Sequence, residues 1–254
     1  MRPLTVGNWK MHGSKGDLTD IESIAATAAK NRIEVDILVC RPATMIAEAS
    51  RIAAGRIAVG GQDCHTEAAG NNTGDISAEM LKGAGASAVI TGHSERRRDH
   101  GETNAIVAAK ASAARRAGLL ALVCVGETES QRADGDALSV CGGQIVASVP
   151  TGMTDTDLAI GYEPIWAIGS GRMPTLQEIV KMHTHIRESL VVHLGMHGKS
   201  VRILYGGSVN PDDAEEILAL PEVGGALVGR ASLKAEESAA ILASADVVAK
   251  RRSK

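Results

Sequence analysis

Along the chain, short runs of Val, Ile, Leu and Ala alternate with longer stretches whose apolar residues recur at helical spacing. The runs fall at residues 4–8, 35–40, 57–62, 88–91, 119–124, 158–163, 201–205 and 226–228. Continuous apolar runs of this length suit parallel strands covered on both faces, where no side of the sheet meets water. The amphipathic stretches fall at 18–30, 44–54, 78–84, 103–117, 131–148, 175–194, 212–220 and 235–249. Several carry helix-start signals. In Thr175-Leu176-Gln177-Glu178 the Thr175 hydroxyl is placed to accept from the Glu178 amide while the Glu178 carboxylate answers in return.

Strict alternation of eight strands with eight helices predicts an α/β protein with a parallel sheet and right-handed crossovers. Eight such units in 254 residues match the size of a closed (β/α)8 barrel. An open, doubly wound sheet is the alternative, but it calls for Gly-x-Gly-x-x-Gly after the first strand, and Val6-Gly7-Asn8-Trp9-Lys10 stands there instead. No linker or low-complexity segment interrupts the pattern, so residues 1–254 are expected to form a single domain.

Composition narrows the class of partner. With 44% hydrophobic residues the chain buries a large core, and a formal net charge of -3 gives no basic face for nucleic acid or an anionic membrane. The start, Met1-Arg2-Pro3-Leu4-Thr5-Val6, lacks the apolar region of a signal peptide, and no later stretch approaches the ~18 apolar residues that span a bilayer. Cys40, Cys64, Cys124 and Cys141 form no Cys-x-x-Cys pair, which favours reduced thiols and a cytoplasmic protein. Aromatic residues are only 2%, with no Phe, so the core is aliphatic and stacking on sugars or bases is disfavoured. Small-molecule chemistry is what remains.

In such barrels the C-terminal strand ends meet in a common mouth. Those ends carry Asn8 and Lys10, Gln62, His93, Cys124 with Glu127, Glu163, Gly206-Gly207-Ser208 and Gly229. Glu163 closes the run 158–163, is followed by Pro164, and leads into Ile165, Trp166, Ala167 and Ile168, apolar residues in a segment that would normally face water. Gly169 and Gly171 leave that segment free to close over a bound molecule and keep it dry; a loop packed permanently on its neighbours is the other reading. His93 precedes a short helix start, whose positive end disfavours the imidazolium; packing and capping alone would also explain a lone histidine. Gly206-Gly207-Ser208 and Gly224-Gly225 through Gly229 form adjacent glycine-rich turns after strands 7 and 8, where bared amides suit an anion such as phosphate. Lys10 adds positive charge to the same mouth.

Taken together, Asn8-Trp9-Lys10-Met11, Gly92-His93-Ser94-Glu95-Arg96-Arg97, Cys124-Val125-Gly126-Glu127, Tyr162-Glu163-Pro164-Ile165-Trp166-Ala167-Ile168-Gly169 and Tyr205-Gly206-Gly207-Ser208-Val209 resemble the motif set of the triosephosphate isomerase family, in order and spacing and over essentially the whole chain. The resemblance implies a TIM barrel that interconverts dihydroxyacetone phosphate and glyceraldehyde 3-phosphate through an enediolate, a step of glycolysis and gluconeogenesis, without metal or organic cofactor. It implies Glu163 as the base, His93 as the group that polarises the carbonyl and shuttles protons, and Lys10 with Asn8 as electrostatic support. The Gly169, Ser208, Gly229 and Arg230 amides would hold the phosphate, Glu95 would bond around Lys10 and His93, and Cys124 would pack behind Glu163. A homodimer is implied in which the third loop, with Thr73 foremost, enters the neighbour's site.

The chain departs from that pattern at Arg230, where a second glycine is usual, at Ser170 and Arg172 for Thr and Lys, at His12 for Asn, and in Asn72-Thr73-Gly74-Asp75 for Phe-Thr-Gly-Glu. The Arg230 side chain is expected to turn away from the anion, and Pro174 to stiffen the second hinge of the loop. Rival readings are an isomerase of a longer ketose phosphate such as a tetrulose phosphate, a catalytically silent phosphate-binding barrel, and a glycosidase using Glu163 with Glu127 or Glu95. His183 and His185 are two apart on a helix and point to different faces, so they make no metal pair.

Overall fold

The computed structural model describes residues 2–252. Strands β1 (Leu4–Asn8), β2 (Asp36–Cys40), β3 (Ala58–Gly61), β4 (Ala88–Thr91), β5 (Leu120–Val125), β6 (Leu158–Tyr162), β7 (Arg202–Tyr205) and β8 (Gly225–Val228) pair in chain order, all parallel. β1 pairs with β2 on one side and β8 on the other, closing the barrel. Gly225 makes that closure possible: a Cβ there would lie 1.9 Å from the Leu4 carbonyl oxygen.

Helices α1 (Leu18–Asn31), α2 (Ile46–Ala53), α3 (Ala78–Gly83), α4 (Ser94–His100), α5 (Asn104–Arg116), α6 (Glu129–Ala133), α7 (Ala137–Ser148), α8 (Leu176–Leu194), α9 (Ala214–Ala219) and α10 (Ala235–Arg252) surround the strands. α8 begins as its sequence predicts: Thr175 Oγ1 accepts from the Glu178 amide and Glu178 Oε2 accepts from the Thr175 amide. The stretch 131–148, expected as one helix, is two. Gly135, at φ +85°, turns the chain between α6 and α7, and Asp136 restarts it. At the end of α10 Lys250, Arg251 and Arg252 are exposed, and Arg252 also donates to the Val223, Leu218 and Leu220 carbonyls. Residues 253 and 254 lie outside the described residues.

Two aliphatic layers make the core. Leu4, Val6, Leu38, Cys40, Ile90, Leu122, Leu204 and Leu227 fill the barrel, and the alternate strand residues pack outward against the helices. This period of two places the site. On β1, Leu4 and Val6 point inward, so Asn8 does as well; on β6, Ala159 and Gly161 face the interior, so Glu163, one residue past the strand, follows them. His93 is out of phase with Ala88 and Ile90. Gly92, at φ +65°, turns the backbone between them and brings the imidazole to the mouth.

Candidate active site

The first strand end is a fastened piece of backbone. Lys10 has φ +50°, a left-handed conformation that costs a non-glycine residue of order 1–3 kcal/mol. Two contacts hold it. Asn8 Oδ1 accepts from the Lys10 amide at 3.0 Å, and Gln62 Nε2 donates to the Lys10 carbonyl at 2.8 Å. The same Gln62 amide reaches Cys40 O at 3.1 Å and Asn8 Oδ1 at 3.3 Å, so β1, β2 and β3 are tied at one point. With Oδ1 engaged twice, the Asn8 NH2 is the end left to donate elsewhere. The Lys10 ammonium lies 2.5 Å from Glu95 Oε1.

Across the mouth, Glu163 Oε1 meets His93 Nε2 at 2.9 Å. Ser94 donates its amide to Glu163 Oε2 and its hydroxyl to Oε1, each at 3.0 Å. Burial works against the carboxylate, but His93 and the Ser94 bonds outweigh it and hold Glu163 below the usual range. For His93 burial opposes the cation while the Glu163 carboxylate favours it, and the balance moves its pKa up. Yet Nδ1 accepts the Glu95 amide at 3.3 Å, which places the ring's proton on Nε2 and leaves no seat for a second while that bond stands. Withdrawing Glu163 would remove the largest influence favouring the cation, leaving burial, the Lys10 ammonium and this bond to favour the neutral ring against the Glu95 carboxylate, 3.6 Å from Nδ1. Cys124 lies behind Glu163, fully buried, its thiol pushed well up by burial first and by Glu163 second.

Glu127 is no second acid for Glu163. It is wholly buried, with Oε1 accepting from Trp166 Nε1 at 2.8 Å and Tyr162 OH at 3.2 Å, and it pins the first hinge of the loop. Trp166 is flanked by the Arg132 and Arg172 guanidiniums, 4.4 and 5.0 Å from its ring centre, and Arg172 also pairs with Glu129. Gly169 and Gly171, at φ +71° and +76°, free the tip between these anchors.

The anion side is built from bare backbone. A Cβ on Gly207 would lie 2.2 Å from the Tyr205 hydroxyl oxygen, and one on Gly206 would lie 2.9 Å from the Tyr162 carbonyl and 3.2 Å from Glu163 Cγ. The glycines therefore answer close approach as well as anion binding. These amides do not start a helix: Asn210 and Asp213 build a separate turn, and α9 begins only at Ala214. One cavity of about 960 Å³ is lined by Asn8, Lys10, His93, Glu163, Gly169, Ser208, Gly229 and Arg230. A Cβ at Gly229 would lie 3.7 Å from Lys10 Cε, so the acid–base side and the anion side touch. Thr73 lies on an exposed turn and does not line this cavity.

Comparison with known proteins fits this geometry. A family model described as triosephosphate isomerase matches residues 3–245. The chain belongs to the triosephosphate isomerase family. It is 54% identical to the triosephosphate isomerase of Afipia carboxidovorans, over 95% of this chain and 96% of that protein. It is 51% identical to that of Rhodopseudomonas palustris, over 96% and 97%. A crystal structure of triosephosphate isomerase from Bartonella henselae superposes with a TM-score of 0.90 at 44% identity, covering 96% of this chain and 99% of that one.

Within this triosephosphate isomerase framework, two residues that hold the site escape the sequence reading of roles. Gln62 fastens Lys10, and its signal was a lone polar residue at the end of an apolar strand. Ser94 parks Glu163, and nothing but adjacency to His93 marked it. No helix of the described residues is long and apolar enough to cross a membrane.

Proposed function

We propose that Glu163 and His93 are the proton-transfer pair with which this single-domain barrel carries out its family's reaction, the interconversion of dihydroxyacetone phosphate and glyceraldehyde 3-phosphate. The observation that carries the assignment is their contact at 2.9 Å in the cavity that also holds Lys10 and the glycine amides. In the parked position Glu163 is held by His93 and twice by Ser94. Turning toward substrate, it loses the bonds that depress its pKa while staying in a dry site, so it becomes a stronger base where it is needed.

Glu163 takes a proton from the carbon beside the carbonyl. The electron pair of that C–H bond forms the C–C double bond, and the carbonyl π pair moves onto oxygen. His93 Nε2–H donates to that oxygen, Lys10 stabilises the developing charge, and the Asn8 NH2 supports it. His93 then relays a proton between the two oxygens, and Glu163 returns its proton to the neighbouring carbon. The Gly169, Ser208, Gly229 and Arg230 amides hold the phosphate, and closure of residues 165–173 keeps water from the enediolate.

A homodimer completes the reading. Met11 is 95% exposed beside Lys10, and Met80 and Ile76 flank the exposed third loop, an apolar set that a second copy would cover with Thr73 leading. Four free, buried thiols accord with a reducing, cytoplasmic setting. A coupled assay of the purified protein with three- and four-carbon ketose phosphates tests the function: turnover of the triose at well above the rate for the tetrulose supports it, and the reverse order refutes it. Sedimentation of the wild type against a Thr73→Arg variant tests the dimer, which the substitution should break.

A further inference from the structure

The charged side chains lining the active-site cavity are Lys10, Glu163, Arg172, Arg230 and Glu237. Each but one has a partner of opposite type: Lys10 has Glu95, Glu163 has His93, Arg172 has Glu129 and Glu237 has Lys234. Among the described residues the guanidinium of Arg230 bonds to no carboxylate or carbonyl, whereas Arg96, Arg97, Arg132, Arg187, Arg202 and Arg252 all do.

Arg230 stands immediately after Gly229, exposed at the cavity wall, at the start of the short turn Arg230–Ser232. An unpaired fork of five donors on a flexible stem beside an anion cradle of neutral amides is free to add its own charged bonds to the anion. Against the expectation from the sequence that this side chain turns away from the anion, we propose that the Arg230 guanidinium, which lines the cavity, closes on the substrate's phosphate dianion and is a specificity-determining side chain for it. The cradle then supplies a full positive charge as well as amide dipoles, and the site favours the dianion over the monoanion and over uncharged trioses. The inference rests on the anion cradle proposed above.

The test is competition by inorganic phosphate against dihydroxyacetone phosphate in the wild type, Arg230→Gln and Arg230→Lys. Both substitutions keep the backbone amide, so only the side chain is in question, and its exposure leaves folding intact. We expect Arg230→Gln to raise both the phosphate Ki and the substrate KM about tenfold, a change of roughly 1.4 kcal/mol, with a smaller change in kcat. Arg230→Lys should fall between, and the dependence of KM on salt should flatten in Arg230→Gln. A Ki that is unchanged or lower in Arg230→Gln, or a Lys variant no tighter than Gln, overturns the proposal while leaving the cradle standing. Failure of phosphate to compete in the wild type overturns the cradle itself, and the proposal with it.

Discussion

The two halves of the cavity wall are made differently. On the β1, β4 and β6 side, side chains act, and each is held by others: Lys10 by Asn8, Gln62 and Glu95, and Glu163 by His93 and Ser94. On the β7 and β8 side, backbone acts, and glycine clears the way for it. The contrast teaches that proton transfer needs groups of defined protonation and position, which only a bonded network supplies, while holding an anion needs mainly exposed amides. One side should be fragile to loss of atoms and the other to their addition.

The largest effect is expected from removing the ammonium. Lys10→Met should lower kcat/KM by about 10² to 10³, the size seen when one group stabilising a developing oxyanion is lost; steady-state kinetics showing less than a few-fold loss would confine Lys10 to a structural part. On the backbone side the opposite change is damaging. Gly207→Ala puts a methyl 2.2 Å from the Tyr205 oxygen, and should cost about 1–3 kcal/mol of stability with a raised KM, checked by thermal unfolding and inhibition by phosphate.

Gln62→Ala separates position from chemistry. It frees the strained Lys10 backbone and loosens Asn8, and about a tenfold loss of kcat/KM is expected, since the two N–H groups of its amide give up bonds of about 1 kcal/mol each, partly offset by water. An unchanged rate would mean that Lys10 needs no fastening. The smallest effect is a shift in pH dependence. Burial opposes the Glu163 carboxylate and His93 and Ser94 favour it, with a net lowering; in Ser94→Ala one favouring bond goes, so the pKa rises. The acid limb of the kcat/KM profile should therefore move to higher pH, and a limb that stays or moves lower contradicts the parking role.

The barrel was legible because eight continuous apolar runs alternating with amphipathic stretches are a strong signal, while the two-residue side-chain period seen in the structure, carried past the strand ends, places Asn8 and Glu163. His93 was recognisable as a motif, but its inward turn depends on the backbone angle of Gly92, which composition does not reveal. Glu127 looked like a spare carboxylate in the mouth and proves to be a buried anchor for Trp166, because only coordinates show which face of the strand end is dry. The break between α6 and α7 was missed for a similar reason. The apolar spacing runs on across Gly135, and its left-handed angle outweighs that pattern.

The most direct measurement follows dihydroxyacetone phosphate by proton NMR in D2O with wild type and Glu163→Gln. The account predicts that the wild type exchanges a carbon-bound hydrogen with solvent as it forms product, and that the variant does neither while binding inorganic phosphate as tightly as before. Exchange that persists in Glu163→Gln at the wild-type rate would remove Glu163 from the chemistry and contradict the account.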